Sequence, residues 1–261
     1  MVSKILIPAQ RHAKIQEYLS SHKVVATADL CDLLHISEAT VRRDLEWLEE
    51  RGIIERTHGG AILSHRLRLE PQYNQRAQFH KEEKRLIGQA ASAIIEPGDI
   101  IFVNSGTTTT EFIHHIRKKS DITVITNNLN ACIDLNDINF DLIFLGGTFQ
   151  PRSISVAGHM ALENIRQINA SKAFIGVDGL SLKYGCTVPS EPEAGVVRRM
   201  VEHTQGTVTV LADHSKWSVV SNFEIVTIDQ IDRLITDANF DPRALTALAA
   251  RSVEVILATE S

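Results

Sequence analysis

Cysteine is scarce in this sequence, and long apolar runs are missing from it. Three cysteines occur in 261 residues, Cys31, Cys132 and Cys186, and they form no CxxC pair. Thiols so few and so far apart exclude a disulfide framework and fit a reducing compartment. No apolar stretch is long enough to cross a bilayer, and the first residues lack the apolar centre of a signal peptide. The sequence therefore predicts a cytoplasmic protein that does not enter a membrane.

An excess of positive charge is also missing. The 27 Lys and Arg residues are outnumbered by 32 Asp and Glu residues, for a formal net charge of −5. This balance argues against a protein that coats nucleic acid generally, so any contact with DNA has to be local. The sequence has no Walker A motif, and its eleven histidines show no metal-site spacing. We predict no nucleotide hydrolysis, no metal and no cofactor.

Residues 1–63 have the pattern of three helices followed by a hairpin. In the third helix Val41, Leu45 and Leu48 recur at i, i+4 and i+7, which predicts an inward apolar face. Ser37 precedes this helix as its N-cap. Two short apolar runs around a Gly-Gly tip then indicate two strands. This order of elements predicts an α/β winged helix-turn-helix domain.

The outward face of the third helix concentrates positive charge in its first turns. A helix in the major groove presents its N-terminal residues to base edges, and arginine can bond guanine bidentately. An alternative is that Arg42 and Arg43 pair with nearby acids on a solvated helix, but the order of the elements favours DNA binding. From the hairpin, Arg56 and His58 could reach phosphate or the minor groove. The predicted DNA-binding residues are Ser37, Ala39, Thr40, Arg42, Arg43, Arg56 and His58.

This head is not basic as a whole. Residues 1–68 hold ten Lys and Arg against nine Asp and Glu. A single copy should therefore bind DNA weakly. We expect a homo-oligomer, a dimer or a tetramer, on half-sites about 34 Å or a multiple of this apart.

The remainder of the chain has a different pattern. Residues 64–80 are polar without a sustained period, which predicts a linker. From residue 81 to 261, helices alternate with continuously apolar strands, which indicates an α/β domain with a mostly parallel sheet covered on both faces.

A strand, a glycine-containing turn and a helix start come together in "IIFVNSGTTTTEF", residues 100–112. Backbone N–H groups at a helix N-terminus form an anion site, helped by the helix dipole. Ser105 and the threonines add hydroxyl donors, and Gly106 allows a close approach. The alternative is that the threonines only cap the helix. The α/β context favours a phosphate monoester, because ligands in such sheets bind at the carboxyl ends of strands.

Polar residues follow several other predicted strands, and convergence on one edge suits a small polar ligand. Lys216 is expected as a second cation, although exposed surface lysines are more common. Glu193 could accept hydrogen bonds from sugar hydroxyls or only stabilise a helix N-terminus, and Arg152 is a weaker candidate. The predicted effector-binding residues are Asn104, Ser105, Gly106, Thr107, Thr108, Thr109, Asn127, Asn128, Gly146, Gly147, Arg152, Asp178, Glu193 and Lys216.

At these motifs the chain resembles a known family. The segment "VRRDLEWLEERGIIERTHGGA", residues 41–61, is similar to the signature of the DeoR family of bacterial transcriptional regulators. The motifs "NSGTTTTEF", "ITVITNNLN", "LGGTF", "FIGVDGL", "EPEAG" and "LADHSKW" follow in the family's order, so the resemblance covers nearly the whole chain. The family often has an aspartate where this chain has Asn104, which bears on ligand preference.

The resemblance implies a repressor, acting on a carbohydrate-metabolism operon, whose C-terminal domain resembles sugar-phosphate isomerases. That domain would sense a phosphorylated sugar or related metabolite, and the other partner would be double-stranded operator DNA. The alternative is an isomerase that carries a DNA-binding domain. Asp178-Gly179 and Glu193 are present, but Leu180-Ser181 stand where such enzymes have further acidic residues. Because proton transfer needs a base and an electrophilic partner, we predict no enzyme and no catalytic residue.

Overall fold

The computed structural model describes residues 8–21, 25–50, 54–57, 59–63, 72–133, 135 and 137–260. They belong to two compact units, Met1–Leu69 (unit 1) and Glu70–Ser261 (unit 2). His58, predicted at the hairpin tip, and the first part of the predicted linker lie outside the described residues. Within the described part, no helix has the length and apolar character needed to cross a membrane.

Unit 1 has three helices and a small antiparallel sheet. Its elements are α1 (Pro8–Ser21), β1 (Val25–Ala26), α2 (Thr27–Leu34), α3 (Glu38–Glu50), β2 (Ile54–Thr57) and β3 (Gly60–Leu63). Strands β2 and β3 pair as a hairpin, and β1 pairs with the other edge of β3. The winged helix-turn-helix prediction is confirmed.

Helix α3 is fixed by an apolar face and by one buried carboxylate. Val41, Leu45 and Leu48 are fully buried, as their spacing predicts. On the same helix, Asp44 accepts hydrogen bonds from Arg11 Nε at 2.7 Å and from His12 Nε2 at 2.9 Å. Burial raises the pKa of Asp44, but these hydrogen bonds outweigh burial and hold the pKa below its ordinary value. Helix α3 is therefore tied to α1 by charge as well as by packing.

Unit 2 is built on a seven-stranded sheet in which every strand pair is parallel. Its helices are α4 (Tyr73–Gln78), α5 (Lys81–Ser92), α6 (Thr107–Ile116), α7 (Asn130–Ile133), α8 (His159–Ile165), α9 (Glu191–Glu202) and α10 (Pro242–Ala249). The strands of this sheet are β4 (Ile100–Val103), β5 (Thr123–Thr126), β6 (Asp141–Phe144), β9 (Ala170–Gly176), β12 (Thr204–Leu211), β14 (Arg233–Asp237) and β15 (Glu254–Ala258). The predicted parallel α/β domain is confirmed.

The strand order reverses in the middle of this sheet. Its order is β15-β14-β12-β9-β4-β5-β6, so the chain builds outward from β4 on one side and from β9 on the other. Neighbouring strands whose connections leave in opposite directions open a crevice at their carboxyl ends. The junction of β4 and β9 is therefore where a ligand site is expected.

Apolar clusters cover both faces of the sheet. One cluster contains side chains of α5 and α6, such as Ile87 and Phe112, and the other contains side chains of α9 and α10, such as Val196 and Leu248. Helices α5 and α6 approach closely at Gly88, where an added Cβ would lie 2.8 Å from the backbone of Glu111. This contact leaves room only for glycine.

Short strands outside the main sheet are missing from the sequence-based prediction. They are β7 (Thr148–Gln150), β8 (Ser155–Ala157), β10 (Gly179–Ser181), β11 (Gly185–Val188) and β13 (Phe223–Val226). Strands β7 and β8 pair with each other, and β10, β11 and β13 form an antiparallel sheet. A strand of three or four residues with mixed polarity gives no clear period-two signal.

The structure differs from the predicted linker over its second half. Residues Tyr73–Gln78 form helix α4, which belongs to unit 2. Tyr73 is buried, and its hydroxyl donates to Thr110 Oγ1 at 2.7 Å. One buried aromatic side chain anchors this short helix, so the polar segment shows no repeating apolar pattern.

Candidate functional site

The first turns of α3 present the predicted DNA-binding residues. Ala39, Arg42 and Arg43 are exposed. The Ser37 and Thr40 hydroxyls lie 2.9 Å apart, and the Thr40 N–H donates to the Ser37 carbonyl, also at 2.9 Å. These contacts shape the entry into the helix, and the exposed arginines follow in its second turn.

Three contacts with acidic side chains bear on the alternative that the arginines only pair with acids. Arg42 Nη2 lies 2.6 Å from Glu38 Oε1, and both side chains are 60% exposed. Exposed pairs four residues apart on a helix contribute little stability, so this pair can yield to a phosphate or a base. Arg56, on the hairpin, lies 3.4 Å from Glu46 Oε1, and its N–H donates to Glu49 Oε1 at 3.3 Å. The acids farther along α3 therefore hold the hairpin.

In unit 2, a polar pocket opens at the junction of β4 and β9. The residues that line it are Arg76, Asn104, Ser105, Gly106, Thr107, Thr108, Asn127, Ser153, Gly176, Val177, Asp178, Val188, Glu193, Val197 and Lys216. Nine of the predicted effector-binding residues are in this lining: Asn104, Ser105, Gly106, Thr107, Thr108, Asn127, Asp178, Glu193 and Lys216.

Asn104 joins the two central strands. Its Nδ2 donates to the Gly176 carbonyl at 2.9 Å, and its Oδ1 accepts from the Gly176 N–H at 2.7 Å. At neutral pH an amide offers a donor and an acceptor side by side, whereas an ionised carboxylate only accepts. The side chain is 3% exposed. Asn104 therefore closes the floor of the pocket rather than projecting into it.

The loop before α6 is held in shape by the amide of Asn127, which also lines the pocket. Asn127 Oδ1 accepts from the Ser105 N–H at 2.8 Å, and its Nδ2 donates to the Val156 carbonyl at 2.9 Å. The first N–H groups of a helix have no acceptor within the helix, and the first turn of α6 begins at Thr107. Those N–H groups, with the helix dipole, favour an anion at this end of the pocket.

Two cations flank a single carboxylate in the lining. Arg76 Nη1 lies 3.1 Å from Asp178 Oδ1, and Lys216 Nζ lies 3.8 Å from the same oxygen. The sequence missed Arg76 because it lies in the polar segment predicted as a linker. A lone arginine there carries no local signal, and only packing of α4 on unit 2 brings it to the pocket.

A third cation supports this wall from behind. Lys84 is 4% exposed, and its Nζ donates to the Arg76 and Phe79 carbonyls at 2.6 Å each. Burial lowers the pKa of Lys84 to about 8, with the neighbouring charges making smaller contributions. This lysine, also absent from the sequence prediction, caps the end of α4 and so holds Arg76 in place.

Glu193 supplies a buried carboxyl group in the lining. It is 8% exposed and lies in the first turn of α9. Burial raises its pKa, and nearby Asp178 raises it further, while a hydrogen bond from Ser153 opposes the shift. A carboxyl group in this setting can accept hydrogen bonds from hydroxyl groups. Ser153 is a further pocket residue that the sequence did not single out.

Five of the predicted residues lie outside the lining: Thr109, Asn128, Gly146, Gly147 and Arg152. The Thr109 hydroxyl is fully buried and donates to the Asn104 carbonyl at 2.8 Å. The Asn128 amide donates to Thr110 Oγ1 at 2.8 Å and accepts from the Asn130 N–H at 3.1 Å. Both side chains are used to hold α6 and α7 at the ends of their strands.

The other three follow β6 and β7. The Gly146 N–H donates to Asn164 Oδ1 at 3.0 Å, and Gly147 packs against the Ala157 carbonyl. Arg152 is exposed, and its carbonyl accepts from the Tyr73 N–H at 3.0 Å. Strand β6 is at the edge of the sheet, away from the junction of β4 and β9, so its following loop does not reach the pocket.

Comparison with known proteins gives matches to both units. Residues 79–238 match the DeoR C terminal sensor domain, and residues 11–66 match the DeoR-like helix-turn-helix domain. The chain is 33% identical to the HTH-type transcriptional regulator GlpR of Haloferax volcanii, over 96% of this chain and 98% of that protein. It is 34% identical to the HTH-type transcriptional repressor GlcR of Bacillus subtilis, over 96% of each.

One solved structure similar to part of the chain is a D-ribose-5-phosphate isomerase in complex with phospho-erythronic acid. The match covers 52% of this chain and 54% of that one, with 19% identity and a TM-score of 0.40.

Proposed function

Because the chain belongs to the DeoR family of transcriptional regulators, we propose that it represses a carbohydrate-metabolism operon and that a phosphorylated sugar or related metabolite modulates this repression. Residues 1–63 bind operator DNA. Residues from α4 onward sense the effector and pair the chains. By linkage, the effector changes DNA affinity only as far as DNA changes effector affinity, typically by about 1–3 kcal/mol.

The effector part of the proposal rests on one observation, the composition of the pocket at the junction of β4 and β9. The N-terminus of α6 and the cations Arg76 and Lys216 suit a phosphate group. Glu193 suits the hydroxyl groups of a sugar. A subsite that binds an anion and a subsite that accepts hydrogen bonds from hydroxyl groups lie in one small polar pocket. Together they favour a sugar phosphate over a simple anion.

The same pocket favours a sensor over an isomerase. Asp178, one of the two carboxylates available as a base, is held by Arg76 and Lys216. Both contacts are made to Oδ1, so that oxygen is already engaged by two cations. Moving a proton between sugar carbons needs a base and an electrophilic group positioned opposite it, and Glu193 by itself supplies only the base. Incubation of the protein with ribose 5-phosphate should therefore give no isomerised product.

The DNA part of the proposal is tested by selecting duplexes from a random library with the full-length protein, at about 0.15 M salt. Arg43→Ala should weaken binding to the selected site by about 1–3 kcal/mol and relax its sequence preference. Arg166→Ala, which removes an exposed arginine just after α8 in unit 2, is the matched control and should change neither the affinity nor the sequence preference. An equal loss of binding to all duplexes would make Arg43 a phosphate contact, and no selected sequence at all would end the proposal.

The effector part is tested by adding a panel of sugar phosphates to the complex of the protein with its selected duplex. A member of the panel should change the amount of bound duplex. The double variant Thr108→Val with Lys216→Ala should bind DNA as before and lose this response. Lys183→Ala, which removes an exposed lysine elsewhere in unit 2, should keep it. A response retained by the double variant would move the sensing site away from the pocket.

A further inference from the structure

Two histidines that are far apart in the sequence meet beside the pocket wall. His80 precedes α5, Glu83 lies in the first turn of α5, and His214 begins the short 3-10 helix His214–Lys216. One ligand atom from each of these three residues lies within 4.8 Å of the other two. The His80 and His214 rings meet edge to face with centroids 4.8 Å apart. The spacing of histidines along the chain predicted no metal site, because this grouping exists only in the fold.

The orientation of the His214 ring is fixed from behind. Its Nδ1 lies 2.9 Å from Asp237 Oδ1, and Asp237 is 2% exposed. The same carboxylate accepts the His214 N–H at 2.7 Å and the Asn239 N–H at 2.9 Å. A carboxylate on one ring nitrogen places the proton there and leaves the other nitrogen as an acceptor, as in metal sites where a carboxylate orients a histidine ligand.

His80 is held in an unusual backbone conformation. Its φ of 51° lies in the left-handed region, which is uncommon for a residue other than glycine. The Lys84 N–H donates to the His80 carbonyl at 3.0 Å, and the Lys84 side chain caps the preceding Phe79 carbonyl. These contacts hold the backbone at the start of α5, so the imidazole is presented from a rigid position. Left-handed backbone strain is often kept where a side chain has a function.

We propose that His80, Glu83 and His214 bind a divalent transition-metal ion of the zinc type, with an open position filled by water. Two imidazoles and one carboxylate are a donor set that Zn²⁺ takes with three protein ligands. Mg²⁺ and Ca²⁺ prefer sites made of oxygen alone. A tetrahedral ion with bonds of about 2.1 Å needs ligand atoms about 3.4 Å apart. The ligand atoms lie within 4.8 Å of one another. Only the backbone of His80 is held, so rotation of the partly exposed His80 and Glu83 side chains can bring their ligand atoms toward the fixed His214 ring.

The ion would join two parts of the effector pocket wall. Helix α5 carries Lys84, which caps the end of α4 beneath Arg76, and the 3-10 helix carries Lys216. Fixing α5 to this turn would fix the two cations relative to each other. If the pocket binds a sugar phosphate, as the proposed function holds, fixing these two cations should make bound zinc raise the affinity for that ligand. The binding of zinc itself does not depend on that function.

Zinc binding is measured by calorimetric titration of ZnCl₂ into the full-length protein after EDTA treatment and desalting. Cys31→Ser serves as the common background, because a partly exposed thiol is a rival zinc ligand. One ion per chain is expected. His80→Asn and Glu83→Gln should each weaken zinc affinity tenfold or more. Asparagine tolerates the left-handed backbone, so His80→Asn keeps the local structure. His159→Asn, which removes an exposed imidazole of α8, is the matched control and should bind as the background does.

Unfolding temperatures measured in EDTA separate a lost ligand from a lost fold. Both ligand variants should unfold within a few degrees of the background in EDTA, and only the background and the control should be stabilised by ZnCl₂. Zinc binding that survives both His80→Asn and Glu83→Gln would overturn the proposal, as would a protein that binds no zinc. Because the titration uses neither DNA nor sugar phosphate, its failure leaves the regulatory function standing, and failure of the DNA and effector tests leaves the zinc result standing.

Discussion

Replacing one amide by a carboxylate tests the account of the pocket floor. In Asn104→Asp, the Oδ1 acceptor of the Gly176 N–H is kept, but the Nδ2 donor to the Gly176 carbonyl becomes an oxygen. The variant loses a hydrogen bond at 2.9 Å and leaves a carbonyl facing a buried negative charge. Losing one partner of a buried hydrogen bond costs about 1–3 kcal/mol. For a unit of this size that cost corresponds to a fall of roughly 2–12 °C in the unfolding temperature.

The assay follows unit 2 through its own tryptophan. The sequence has two tryptophans, Trp47 in unit 1 and Trp217 in unit 2. In a Trp47→Phe background, fluorescence during urea unfolding reports on unit 2. Asn164→Asp is the matched control, because Asn164 is exposed and its Oδ1 accepts the Gly146 N–H, which a carboxylate can also do. This control should stay within about 0.5 kcal/mol of the parent.

The stability difference between Asn104→Asp and the parent should depend on pH, in a direction that the pKa of the new carboxyl group sets. The new carboxyl group is buried against a carbonyl, so its folded pKa should lie above the unfolded value of about 3.9. A group with a raised folded pKa has its full stability below the unfolded pKa and loses stability as the pH rises through the folded pKa. When protonated, the carboxyl group can donate to Gly176 again. The difference from the parent should therefore be smaller at pH 5 than at pH 7. Equal stability of Asn104→Asp and Asn164→Asp at pH 7 would refute the reasoning.

Three further substitutions probe packing in unit 2 and charge in unit 1. Gly88→Ala should lower the free energy of unfolding of unit 2 by about 1–3 kcal/mol, because the new Cβ would lie 2.8 Å from the Glu111 backbone. Gly195→Ala, in α9, should instead raise it by about 0.5–1 kcal/mol, because the new Cβ would make only an ordinary van der Waals contact with Leu162 at 4.0 Å; urea unfolding compares the two variants. Asp44→Ala should lower the free energy of unfolding of unit 1 at pH 7 by about 1.5–3 kcal/mol, through lost hydrogen bonds to a charged group. The folded pKa of Asp44 lies below its ordinary 3.8, so the parent loses this stability as the pH falls below about 3.8 and through the folded pKa. The difference in unfolding temperature between parent and variant should therefore narrow at acid pH. A difference that widens there would contradict the role given to Arg11.

The local pattern of residues was enough to predict the helices and strands whose apolar residues recur at regular spacing or in continuous runs. Helix α3 was predicted from its apolar spacing, and the buried strands of unit 2 from their continuous apolar runs, because both signals depend only on which residues face a core. The loop before α6 was also predicted, because its turn and its hydrogen-bond donors lie in one short segment of the sequence. Helix α4 was not predicted, because a single buried tyrosine makes no period.

The partners of the pocket residues could be assigned only from the tertiary structure. The sequence placed Asn104 and Glu193 near a ligand but assigned no partner to Asn104, whose amide turned out to bridge to Gly176, 72 residues away. Arg76 and Lys84 carry no local signal and reach the wall only through the packing of α4 and α5.

By itself the sequence determined two kinds of domain, their order, a helix with arginines near its start, and a loop suited to an anion. Each of these depends on residues close together in the chain, where helix and strand geometry fix which side chains share a face. The tertiary structure alone decided which strand ends meet, which cations face one carboxylate, and that His80 and His214 lie together. Those neighbours are set by the order of strands in the sheet, which brings together segments that the local pattern of residues cannot relate.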